Sequence, residues 1–117
     1  MTEAVNHPAH YNQFRHEVIE LAELLNFNNG CVVKYLCRAP FKGRFDEDLS
    51  KATWYLRREQ ERGVDEIWSE EALQLQIDFS ADLAKAGYPR LADALTALSR
   101  HEYTKAAVLL MRKEDGE

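Results

Sequence analysis

Glycine and proline punctuate this chain at Pro40, Gly43, Gly63, Gly87 and Pro89, and between the breaks the apolar residues recur at helical spacing. Val18, Leu21 and Leu25 form one such stripe, Leu73, Ile77 and Leu83 a second, and Leu91, Leu95 and Leu98 a third. Leu49, Ala52, Thr53 and Leu56 predict the buried side of a further helix. Helix formers dominate, and the Gly and Pro counts of 5 and 3 are too low for an all-β sandwich with its many turns. The pattern predicts an all-α fold, a compact bundle of about six helices behind an extended N-terminal arm that holds Pro8.

The breaks set the expected limits. A first helix starts at Asn12 or Gln13, and a second, with Asn29 as its N-cap, ends near Arg38. Phe45-Asp46-Glu47-Asp48 reads as the capped, acidic first turn of a third, which suits the positive end of a helix dipole, and Gly63 as its C-cap. The fourth runs from Glu66 or Ser69 to Ala86, the fifth has Pro89 in its first turn, and the sixth spans Glu102 to Arg112. A chain of 117 residues fits one domain, residues 1–117, in which 5–61 carry the candidate site and 66–112 brace it or form an oligomer interface.

A net charge of −5 argues against a general nucleic-acid coat or a membrane-surface protein but leaves room for a local basic pocket. Apolar runs such as Ala106 to Met111 fall far short of the roughly 20 residues that cross a bilayer. The N-terminus carries no basic segment followed by an apolar one, so no secretion signal is expected. Cys31 and Cys37, six apart, point to different helix faces and predict two reduced thiols in a cytoplasmic protein. A zinc site would need more ligands than these thiols and the nearby histidines supply, and no metal site is predicted.

The polar residues of the first half could carry chemistry. Lys34 and Arg38, four apart, project from one helix face, with Lys42 and Arg44 just beyond, and such a fork of cations suits phosphate. The plainer reading is a basic face ion-paired to Glu17, Glu20 or Asp48. His7 and His10 flank Pro8 on a stiff arm ending at Tyr11, where imidazole could donate to phosphate or act as acid or base. Asp48 and Lys51 are three apart and could simply pair. Of the adjacent Trp54 and Tyr55, about 100° apart around the helix, Trp54 is expected in the core while Tyr55 could stack on a base. Glu20 and Glu23 form a Glu-x-x-Glu pair, but no later Glu-x-x-Asp completes the acidic set of the all-α pyrophosphatases. No phosphate loop, dinucleotide fingerprint or nucleophile elbow is present.

The ordered set Val5-Asn6-His7-Pro8-Ala9-His10-Tyr11, Glu17-Val18-Ile19-Glu20, Lys34-Tyr35-Leu36-Cys37-Arg38, Lys42-Gly43 and Glu47-Asp48-Leu49-Ser50-Lys51-Ala52-Thr53-Trp54-Tyr55-Leu56 resembles a small phage and prophage family. Most of its members are described only as a domain of unknown function. One branch is a nucleotide kinase of lytic phages that works without a phosphate loop. The resemblance spans about residues 5–61 and departs at Gly30-Cys31 and Ala39-Pro40, beside the expected pocket. It implies a phage protein in the cytoplasm of an infected bacterium, nucleotide handling and a homo-oligomer. It marks His7, His10, Tyr11, Lys34, Arg38, Lys42, Lys51 and Tyr55 as ligand-binding, and His10, Glu17 and Asp48 as catalytic.

Three functions follow as expectations. A nucleoside monophosphate kinase-like enzyme would use the cations to neutralise phosphates, with magnesium accompanying the nucleotide. A non-catalytic sponge would hold a cyclic dinucleotide or cyclic ADP-ribose type of immune signal with cations and a stacking ring alone. A helical adaptor would use the same charges in structural ion pairs.

Overall fold

The computed structural model describes residues 13–111, and every regular element among them is a helix. These are α1 (Val18–Ala22), α2 (Phe27–Arg38), α3 (Phe45–Arg62), α4 (Glu70–Lys85), α5 (Pro89–Ser99) and α6 (Tyr103–Met111). The expected all-α bundle is found. The expected extended arm, with His7, His10 and Tyr11, lies outside the described residues, as do positions beyond Met111.

The elements form two hairpins that share one core. α2 and α3 run antiparallel, α4 and α5 pack together, and α6 lies against both α3 and α5. Leu21, Leu36, Leu56, Phe79, Leu83, Leu95 and Leu98 are fully buried and draw on five of the helices. Burial of side chains of this size stabilises the fold by roughly 1.5–3 kcal/mol each.

The breaks fall where glycine and proline predict. Gly63 ends α3 with a positive φ of 70°, a region open to glycine without a Cβ clash, and Pro89 opens α5. Ser69 caps α4 by accepting the Ala72 N–H at 3.1 Å. The buried stripes of α3 and α5 fall on the predicted residues.

Five expectations are corrected. α1 starts at Val18, not at residue 12 or 13, because residues 14–16 dock on other elements. Phe14 inserts edge-on against Phe41 and Phe79, with ring centroids 5.5 and 5.1 Å apart. The Arg15 backbone N–H donates to Asp82 Oδ2 at 3.0 Å, Arg15 Nε donates to Asp82 Oδ1 at 3.1 Å, and His16 Nε2 meets Asp78 Oδ2 at 2.9 Å. The cap of α2 is Asn26, whose side chain accepts the Asn29 N–H at 2.9 Å. Asn29 is buried inside the helix and donates its amide to Glu66 at 2.8 Å.

On α4 the buried line is Ala72, Leu75, Gln76, Phe79 and Leu83, which leaves Leu73 and Ile77 exposed. Gln76 can occupy the core because it donates to Ser80 and Thr96 at 2.9 and 3.1 Å and accepts from Ser99 at 3.2 Å. Trp54 is 60% exposed, since the buried line of α3 continues through Leu49, Ala52, Thr53, Leu56 and Glu59 on the other side. The first turn of α3 carries Asp46, Glu47 and Asp48 as expected, although its N-cap, Arg44, supplies no side-chain cap.

Candidate functional site

The two antiparallel helices α2 and α3 meet along a seam whose cross-pairs can be followed from end to end. At the far end Arg38 Nε lies 3.5 Å from Asp48 Oδ2. Next, Lys51 Nζ stands 5.3 Å from the Tyr35 ring centroid, and Lys34 Nζ 5.2 Å from the same centroid. Both distances are within the reach of a cation–π contact. Tyr35 lies parallel to Tyr55, with centroids 6.0 Å apart and an interplanar angle of 8°. Tyr55 in turn touches Phe27 and Trp54 edge-on, at 5.9 and 5.0 Å.

Phe27 comes from α2 and Trp54 from α3, and Tyr55 touches both of these outward-facing rings. Phe27 is 74% and Trp54 60% exposed, unusually high for side chains of this size. Asn28, Arg58, Glu61 and Arg62 complete the walls of a surface cleft of about 590 Å³. Arg62 is tethered by Glu59 at 3.3 Å. Arg58 makes no hydrogen bond or ion pair among the described residues.

Beyond the rings the seam becomes polar and closed. The Glu59 side chain has no exposed surface and accepts hydrogen bonds from Asn26 Nδ2 at 2.7 Å, Asn28 Nδ2 at 3.3 Å and Arg62 at 3.3 Å. Glu66 accepts the Asn26 backbone N–H at 2.8 Å. Two carboxylates therefore stand at the positive end of the α2 dipole and fix the helix that presents Phe27.

Of the residues marked from the sequence, the structure brings Lys34, Lys51 and Tyr55 together at Tyr35. Lys51 also donates to Glu47 at 3.2 Å; this hydrogen bond, with Arg44 beside it, holds the Glu47 carboxyl below its usual range. Asp48 is only 1% exposed and pairs with Arg38, one of the ion pairs that the plainer reading of the cationic helix anticipates. Glu17 is the N-cap residue of α1, its backbone N–H bonded to Glu20 at 2.8 Å. Lys42 is half-buried in the turn between α2 and α3. Among the described residues no three His, Cys, Asp or Glu side chains are grouped so as to hold a metal ion.

Phe27, Trp54, Arg58 and Arg62 are not among the site residues that the sequence marks. The last three follow one another at four-residue spacing and so share one face of α3, a signal present in the sequence. The charged run Arg57-Arg58-Glu59-Gln60-Glu61-Arg62 masks it, because polar residues all round the helix single out no face.

Residues 5–57 match a family described as proteins of unknown function, DUF3310. That region contains α1, α2 and most of α3. Neither a curated protein nor a solved structure matches the chain. No helix among the described residues is long and apolar enough to cross a membrane.

Proposed function

We propose that the chain binds a nucleotide on the α2–α3 seam, the base against Phe27, Trp54 and Tyr55 and the phosphate on Arg58 and Arg62. The observation that carries this reading is an arginine, Arg58, without a hydrogen bond or ion pair among the described residues, beside three rings in a cleft of about 590 Å³. Aromatic faces that water only partly covers favour a planar base, and a guanidinium fork favours phosphate. The resemblance to a phage family with a nucleotide kinase branch points to the same ligand class.

Holding the nucleotide fits the side-chain engagements better than converting it. Asp48, expected to serve the reaction, is buried against Arg38. Binding needs only stacking and charge, with no placed base. A protein of this kind would sequester a nucleotide signal in an infected bacterium.

Calorimetric titration with nucleoside mono- and triphosphates and with cyclic nucleotides tests the reading. The ligand is then recovered by heat denaturation and analysed. Unmodified nucleotide returned after denaturation supports holding, and newly phosphorylated products support the kinase-like alternative. Absence of binding to all of them overturns the nucleotide reading. Arg58→Ala should abolish most of the affinity while the helical circular dichroism is retained.

A further inference from the structure

We infer that the seam takes two phosphodiester-linked nucleotides in preference to one, an inference that rests on the nucleotide reading above. The aromatic run has cations at both ends. Arg58 and Arg62 flank the cleft beside Trp54 and Phe27, while Lys34 and Lys51 stand at Tyr35, on the other side of Tyr55. Lys51 and Arg58 are seven residues apart on α3, about 10 Å of helix rise. A mononucleotide whose base lies on Tyr55 has its phosphate at one end only. A linked dinucleotide carries phosphates along its length, so one can meet Arg58 while another approaches Lys51.

Stacking places are also present in the number that such a ligand needs. Phe27 and Trp54 each expose a ring beside Tyr55, and Tyr35 adds a further half-buried ring along the strip. Alternating rings and cations on an open surface suit linked nucleotides, because every base has a face to stack and every link a charge to neutralise. The rest of the chain limits the length of the ligand. A net charge of −5 gives longer nucleotides no general attraction to the rest of the chain. A short oligonucleotide is therefore the fitting ligand, either free or as the end of a longer strand.

The test uses the full chain and Trp54 fluorescence, since Trp68 is buried. Three ligands are titrated: deoxyadenosine monophosphate, the 5′-phosphorylated deoxyadenylate dinucleotide, and a deoxyadenylate twelve-mer. The dinucleotide should bind about tenfold more tightly than the monophosphate, the gain from one further charged contact. Its affinity should also fall more steeply with salt, the slope being larger by about one. The double variant Lys34→Ala, Lys51→Ala should bring the ratio between the two ligands close to unity. Equal affinity for monophosphate and dinucleotide overturns the inference and leaves the nucleotide reading intact, as does a ratio that survives the double lysine variant. Binding of neither ligand overturns both. A twelve-mer that matches the dinucleotide per site supports the short ligand, and the end of a longer strand as one source of it. Failure of the twelve-mer to bind supports a free dinucleotide. Affinity that keeps climbing with length overturns the inference in favour of a general single-strand binder.

Discussion

Gly30 lies so close to α1 that a β-carbon on it would stand 2.8 Å from the carbonyl oxygen of Ala22. The obstacle is backbone, which cannot rotate aside as a long side chain would. Gly30→Ala should destabilise the fold by roughly 1–3 kcal/mol, despite the better helix propensity of alanine. Urea unfolding followed by circular dichroism checks this, and an unchanged or raised midpoint would contradict the close packing of α1 on α2.

Arg38 and Asp48 should respond unequally to mutation. The Asp48 side chain is 2% exposed whereas that of Arg38 is 40% exposed, so removing the arginine strands a buried carboxylate. Arg38→Ala should cost roughly 1–3 kcal/mol, below the figure for a fully buried pair because the arginine is already partly hydrated. Asp48→Asn, which keeps the shape and leaves the arginine free to hydrate, should cost less. The two midpoints, compared under one condition, decide the order.

The two thiols should differ in reactivity. Burial pushes the Cys37 thiol from its ordinary 9.0 up to about 12, while Cys31 is half-buried on the helix face between Phe27 and Tyr35. Ellman titration at pH 8 should therefore show one thiol reacting in the native protein, lost in Cys31→Ser, and the second only in denaturant. Bound nucleotide should slow the first.

Alkali should weaken the fold in a defined window. Burial first, then the negative charges of Asp65 and Glu59, raises the Tyr103 phenol from 10.0 to about 12. Cys37 moves the same way. Both groups are held neutral by the fold, so their contribution is complete below the unfolded values. It is lost as pH rises from about 9 towards 12. Urea midpoints from pH 8 to 11 should fall, and Tyr103→Phe should flatten the upper part of the curve.

The helix limits set by Gly63, Ser69 and Pro89 were legible because they depend on local backbone chemistry. The faces were less so. Gln76 sits in the core only because α5 brings Thr96 and Ser99 to it, and nothing within α4 announces that. Asn26 and Asn29 are equally good caps by type; Glu66, 37 residues further on, draws Asn29 inside. For the site, the three-residue spacing of Asp48 and Lys51 suggests a pair that does not form, since Asp48 meets Arg38 and Lys51 meets Glu47, and the exposure of Phe27 and Trp54 depends on which side of each helix the bundle covers.

The clamp of Arg15 and His16 on Asp82 and Asp78 bears on how portable the first half is. The family match stops at residue 57, inside α3, two positions short of the buried Glu59 that holds Asn26 and Asn28. Its boundary is therefore no hinge along which the protein could be cut. Grafting residues 5–57 onto another second half would require a helix that offers two acids one turn apart to the incoming strand. It would also require a carboxylate beneath the start of α2. Without both, the rings would lose the footing that holds them side by side.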